Sequence, residues 1–238
     1  MIKYLVFDVD NTLLDFYMAL FRAEKDISDK MGIQFSEDYF TKAAEMIDAA
    51  WEEYQMSNTS DPELQNEWHR RYRDYLRHHY EALSKQYGIE CDVDDLLEIH
   101  FHSIAESHHT MEKETLDIYA ELSERFRNVL ASNSVHEIRG RYSPFIPYTY
   151  KVFISDEIQA VKPGRMFFDA VISGLACEPD ECLMIGDSVS DDMNGAKAAG
   201  FRTCWYRFGK NKTECEYADY CIDSITELPE LLEGISGI

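Results

Sequence analysis

The chain has 238 residues, 45% of them hydrophobic, and its 23 Lys and Arg stand against 45 Asp and Glu for a formal net charge of −22. The apolar fraction supports one sizeable core plus a smaller satellite domain and excludes a disordered chain. So acidic a surface repels nucleic-acid backbones and anionic membranes, and any phosphate-bearing substrate would need the field reversed locally by a metal ion or buried basic residues.

In chain order, Tyr4–Phe7 is a short apolar run ending in Asp8 and reads as a buried parallel strand. After Asp15 the pattern turns helical for nearly a hundred residues. Leu20, Glu24, Ile27 and Met31 share one face, with Gly32 as a stop. Ser36 can cap a second helix carrying Phe40, Ala43, Ile47, Trp51 and Tyr54. Asp61-Pro62 opens a third helix, running through Trp68, Tyr72, Leu76 and Leu83 to Gly88, and Leu96, Leu97, His100 and Ile104 mark a fourth. Seven of the eight histidines lie in this stretch, but His78 and His79 are adjacent and so point to different helix faces, which favours core and surface positions over a metal cluster.

Beyond residue 110 the signal alternates. Strands are expected at 128–131, Lys151–Ile154, 182–185, 203–206 and Tyr220–Ile222. Between them, Ser134-Val135-His136-Glu137 has capping-box spacing and predicts a helix. Pro163 sits as a first-turn proline before a buried stripe of Met166, Phe167, Ala170, Val171 and Leu175. The expected fold is therefore α/β: a doubly wound parallel sheet from residues 1–15 and 110–238, with residues 16–109 inserted as a helical domain. No segment reads as a signal peptide or membrane span, so the expected location is the cytoplasm. The six cysteines form no CxxC pair and read as reduced thiols.

In an open α/β sheet, ligands bind beyond the carboxyl ends of the strands, and those ends carry polar groups of complementary type. Asp8, Asp10 and Thr12 follow the first strand, Ser132 and Asn133 the second; Lys162 precedes a helix start, and Asp187 follows the fourth strand with Asp191 and Asp192 beyond it. Residues two apart on an extended chain point the same way, so one of Asp8 and Asp10 can attack phosphorus while the other handles protons. Magnesium favours hard oxygen ligands, which Asp8, Asp187 and the Asp10 carbonyl would supply. Ser132, ahead of a helix N-terminus, suits an anion, and the Lys162 ammonium would neutralise carboxylate and phosphate together.

Four motifs in order carry a resemblance. Phe7-Asp8-Val9-Asp10-Asn11-Thr12-Leu13, Leu130-Ala131-Ser132-Asn133, Val161-Lys162-Pro163 and Ile185-Gly186-Asp187-Ser188 through Asp192 resemble the four motifs of the haloacid dehalogenase (HAD) superfamily, with the helical insert where its first-type cap sits. The resemblance implies a Mg2+-dependent phosphatase. Asp8 would be nucleophile and metal ligand, and Asp10 general acid, then base, lending its carbonyl to the metal. Ser132 and the Asn133 amide would hold the phosphoryl group with Lys162, Asp187 would bind metal, and Asp192 would act through water or by orienting Lys162.

A cap tethered so close to Asp8 is expected to favour a small phosphate ester over a phosphoprotein. The opening motif and Thr203-Cys204-Trp205 are similar to a branch containing nucleoside 5′-monophosphatases, with sugar phosphates and phosphoglycolate as alternative substrates. Within the family, dehalogenation needs no leaving-group acid such as Asp10, and no cap lysine is marked for phosphonate chemistry. From another class, a phospho-aspartate signalling module would share the acids and the lysine but lack turnover.

Overall fold

The computed structural model describes residues 1–57, 59, 61–209 and 214–236. In chain order, its strands and α-helices are β1 (Tyr4–Phe7), α1 (Phe16–Met31), α2 (Glu37–Glu53), α3 (Pro62–Asn66), α4 (Trp68–Tyr87), α5 (Val93–Ala105), α6 (Thr115–Leu122), β2 (Arg127–Ser132), β3 (Lys151–Ile154), α7 (Ser155–Ile158), α8 (Arg165–Leu175), β4 (Cys182–Gly186), α9 (Gly195–Ala199), β5 (Arg202–Tyr206), β6 (Tyr220–Ile222) and α10 (Leu228–Ser236). They form two compact units: Met1–Asp15 with Thr110–Val135 and Tyr142–Ile238, and Phe16–His109 with His136–Arg141.

The first unit is a parallel sheet of order β3-β2-β1-β4-β5-β6. A sheet covered on both faces needs strands that are apolar throughout, which is why β1 and β4 show no polar alternation. Successive side chains nevertheless divide between two cores. Leu5, Phe7, Leu130, Leu183 and Ile185 pack on one side, and Tyr4, Val6, Val129, Ala131 and Met184 on the other. The chain goes from β1 to β2 and β3 on one flank, then crosses to β4 and β5 on the other. That reversal beside β1 opens a crevice at the carboxyl ends of β1, β2 and β4.

The second unit is helical. Its helices begin and end where local chemistry dictates: Ser36 Oγ accepts from Tyr39 N at 3.1 Å, Asp61 Oδ1 accepts from Glu63 N at 2.9 Å, and Gly88 closes α4 with φ +66°. Trp68, Tyr72 and Leu76 are core residues. The core also contains a polar knot. Tyr39 and Tyr80 donate their hydroxyls to the Glu24 carboxylate at 3.2 and 3.1 Å. His100 Nδ1 lies 2.7 Å from the Tyr80 hydroxyl, and His79 Nε2 lies 3.4 Å from Glu24.

Four expectations need correction. The third helix breaks at Glu67 into α3 and α4. The capping box at Ser134 does not form: Ser134 Oγ donates to the Val135 carbonyl, and His136–Tyr142 is a 3-10 helix. Residues 136–141 also leave the sheet domain to which the sequence assigned them. Glu137 pairs with Arg73 at 2.8 Å, and Arg141 donates to the Ser107 carbonyl at 3.1 Å, so this segment clusters with the helices. Finally, α8 begins at Arg165, after Pro163, and its buried stripe uses Phe168 rather than Met166, which is 69% exposed.

Candidate active site

Asp8 follows β1, and its N–H is held by the Ile185 carbonyl at 2.9 Å. The next residues fold into a tight turn in which Thr12, Leu13 and Leu14 all donate N–H groups to the Val9 carbonyl and Asn11 adopts φ +60°. This turn brings Thr12 back under Asp8: its hydroxyl donates to Asp8 Oδ2 at 3.0 Å and accepts the Asp187 N–H at 3.1 Å. One hydroxyl therefore ties the end of β1 to the end of β4. Asp10 lies half-buried on the same turn.

Lys162 is buried, and a cis peptide links it to Pro163. Its ammonium donates to Asp8 Oδ1 at 2.6 Å, Asp192 Oδ1 at 2.7 Å and the Ala131 carbonyl at 3.0 Å, which uses all three of its protons. Burial pushes this amine toward its neutral form, but the charges of Asp192 and Asp8 outweigh that and hold it protonated well above the ordinary lysine value. The Asp192 carboxyl is driven upward by burial and by Asp8 and Asp187, and the Lys162 charge opposes this.

Asp192 sits within a π-helical turn, Val189–Asn194, whose N-cap is Ser188. Its Oδ2 accepts the Ser188 N–H at 3.1 Å. A side chain at position 186 would overlap its carboxylate, which explains the glycine there. Asp191 donates its N–H to Ser188 Oγ at 3.1 Å and accepts from the Ser190 hydroxyl at 3.4 Å. Carboxylate oxygens of Asp8, Asp187 and Asp192 lie within 4.8 Å of one another, a cluster of hard donors suited to a divalent cation. Both oxygens of Asp192 accept hydrogen bonds, from Lys162 and Ser188, as do both of Asp8, from Lys162 and Thr12.

Ser132 ends β2 and is buried. The helix N-terminus expected just beyond it is replaced by the 3-10 segment. Both ends of the Asn133 carboxamide are engaged with the Lys162 backbone. Sequence reasoning places Thr12 at the strand end and in the first motif but gives it no role, and gives none to Trp205, whose indole N–H donates to the Asp187 carbonyl at 3.1 Å.

A parallel sheet whose strand ends bring Asp8, Lys162, Asp187 and Asp192 together has the fold and the polar site of an α/β hydrolase. Comparisons with known proteins agree. A family model described as HAD-hydrolase-like matches residues 160–228. The pyrimidine 5′-nucleotidase PynA of Streptococcus pneumoniae is 30% identical, with 86% of this chain and 83% of that protein covered. The HAD-hydrolase YfnB of Bacillus subtilis is 27% identical over 85% of this chain and 83% of its own length. Its magnesium-bound crystal structure superposes with a TM-score of 0.80, covering 97% of this chain and 98% of that one at 24% identity. An L-2-haloacid dehalogenase from Xanthobacter autotrophicus shares the fold at a TM-score of 0.72 and 16% identity, with 99% and 100% of the two chains covered. The chain belongs to the HAD-like hydrolase family. No described helix is long and apolar enough to cross a membrane.

Proposed function

We propose that the protein is a magnesium-dependent phosphatase that cleaves a small phosphomonoester through a phospho-aspartate on Asp8. The observation that carries this reading is the Lys162 ammonium held between Asp8 and Asp192 beside Asp187. Attack on an anionic phosphate requires positive charge next to the nucleophile, and the otherwise acidic site supplies it with Lys162 and a place for a cation.

In the first step an Asp8 oxygen attacks phosphorus while the bond to the leaving oxygen breaks, and Asp10 gives that oxygen its proton. In the second, Asp10 as carboxylate takes a proton from water, the water oxygen attacks phosphorus, and the acyl-phosphate bond returns to Asp8 as carboxylate. Ser132 and the Asn133 N–H hold the phosphoryl oxygens, and Thr12 keeps the Asp8 carboxylate oriented. Asp8, Asp187 and the Asp10 carbonyl would hold magnesium, which when bound supplies charge to offset the phosphate oxygens.

Among substrates we place a nucleoside 5′-monophosphate first, on the similarity to a pyrimidine 5′-nucleotidase, and a sugar phosphate or phosphoglycolate next. A cytoplasmic enzyme acting on free metabolites fits this reading. The test is kcat/KM with magnesium across nucleoside monophosphates, sugar phosphates, phosphoglycolate and a phosphopeptide. A sugar phosphate as best substrate overturns only the nucleotide choice, and a phosphopeptide overturns the small-substrate reading. A phospho-aspartate that persists for minutes without turnover makes the protein a signalling module instead.

A further inference from the structure

Asp187 is fixed through its backbone from two directions. Its N–H donates to Thr12 Oγ1 at 3.1 Å, and its carbonyl accepts the Trp205 indole N–H at 3.1 Å. Thr12 in turn donates to Asp8 at 3.0 Å, so a chain of hydrogen bonds runs from β5 through the β4 end to the β1 end. Trp205 is fully buried on β5, where it pairs in register with Gly186, the residue before Asp187.

The surroundings explain why this anchor matters. A cavity of about 580 Å³ lies against Asp187, lined also by Ser188, Ser190, Asn194, Tyr217 and Trp205. On that side Asp187 has open space where a core residue would have packed neighbours. Hydrogen bonds to its peptide therefore help to hold it on this side, and the one from Trp205 comes from a strand paired on both edges, with β4 and β6. An indole N–H is a donor only, and when buried it needs an acceptor, which here is the Asp187 carbonyl.

Building on the phosphatase reading above, we infer that Trp205 is a positioning residue for the metal site: its indole N–H sets the Asp187 peptide so that the carboxylate meets the cation together with Asp8. An indole N–H carries no lone pair for a cation, so its part is orientation and not coordination. Its effect is on magnesium affinity, which separates it from a residue that merely fills the core.

The experiment is isothermal titration of the metal-free full-length protein with magnesium chloride, for wild type, Trp205→Phe and a protein carrying the sulfur isostere 3-benzothienylalanine at position 205. The isostere keeps the shape of the indole and lacks only the N–H, so it decides the matter where the Phe variant folds poorly. The expected result is a magnesium Kd raised about tenfold or more in both, the size of effect seen when a partner of a metal ligand is lost. Turnover should fall at limiting magnesium and recover in large part as magnesium is raised. Wild-type affinity in the isostere protein, or a kcat loss that magnesium does not relieve, overturns the inference while leaving the phosphatase reading standing. Wild-type protein that binds no magnesium overturns the metal reading and this inference with it.

Discussion

The Asn133 side chain grips the Lys162 main chain at both of its polar groups: Nδ2 donates to the Lys162 carbonyl at 2.9 Å, and Oδ1 accepts the Lys162 N–H at 2.7 Å. The carboxamide thereby fixes the root of the side chain whose tip bridges Asp8 and Asp192. Asn133→Asp keeps the shape but sets a carboxylate oxygen against the Lys162 carbonyl. We expect kcat to fall about 10- to 100-fold, the rate equivalent of one or two lost hydrogen bonds at the reacting centre, with a smaller change in KM. Steady-state kinetics checks this, and unchanged kcat would show that Lys162 needs no such clamp.

Asp8→Asn preserves volume and removes the charge that attacks phosphorus. Turnover should drop by several orders of magnitude while the circular dichroism spectrum stays that of the wild type. Activity within tenfold of wild type would sink the covalent mechanism.

Metal dependence follows from the donor set. Excess chelator should abolish turnover, and added magnesium should restore it. Calcium should not, since its larger and looser coordination shell misplaces Asp8. Full activity in chelator would remove the metal from the reaction.

Lys162 neutralises two buried carboxylates, so its loss should affect stability as well as rate. Lys162→Met leaves Asp8 and Asp192 without their common counter-ion, and breaking a buried pair in this way costs about 3–5 kcal/mol. Adding Asp192→Asn removes one of the stranded charges, so the double variant should regain part of the lost stability while remaining inactive. Chemical denaturation of both variants gives the comparison, and equal stability of single and double variants would argue against the shared-charge picture.

In the helical unit, burial lowers the His100 pKa to about 4, an effect that Glu24 partly opposes. The folded state thus binds this proton less well than the unfolded chain, whose histidine titrates near 6.5. The contribution is whole above about 6.5 and is lost as pH falls toward 4, at a slope approaching about 1 kcal/mol per pH unit. Urea unfolding between pH 7 and 4.5 should show this slope, and His100→Asn should flatten it. Parallel wild-type and variant curves would assign the acid sensitivity to other groups.

Some of this molecule is written in short-range pattern. The apolar run Tyr4–Phe7 specifies a buried strand, Ser36 and Asp61 specify helix starts, and Gly88 a helix end, because each acts on neighbours within a few residues. The order of the strand-end acids, with Asp8 and Asp187 each just past an apolar run, likewise points to the crevice. Other features had no local signature. Lys162 meets Asp8 across 154 residues and Asp192 across 30, Asn133 spends its side chain on a backbone 29 residues away, and Trp205 reaches the Asp187 carbonyl across 18. Residues 136–141 left the sheet domain for the helices despite a capping-box spacing, because the partners of Glu137 and Arg141 are Arg73 and the Ser107 carbonyl. Sequence patterning determines which faces are buried and where a chain turns. Which donor meets which acceptor depends on how distant segments pack, and only the tertiary structure decides it.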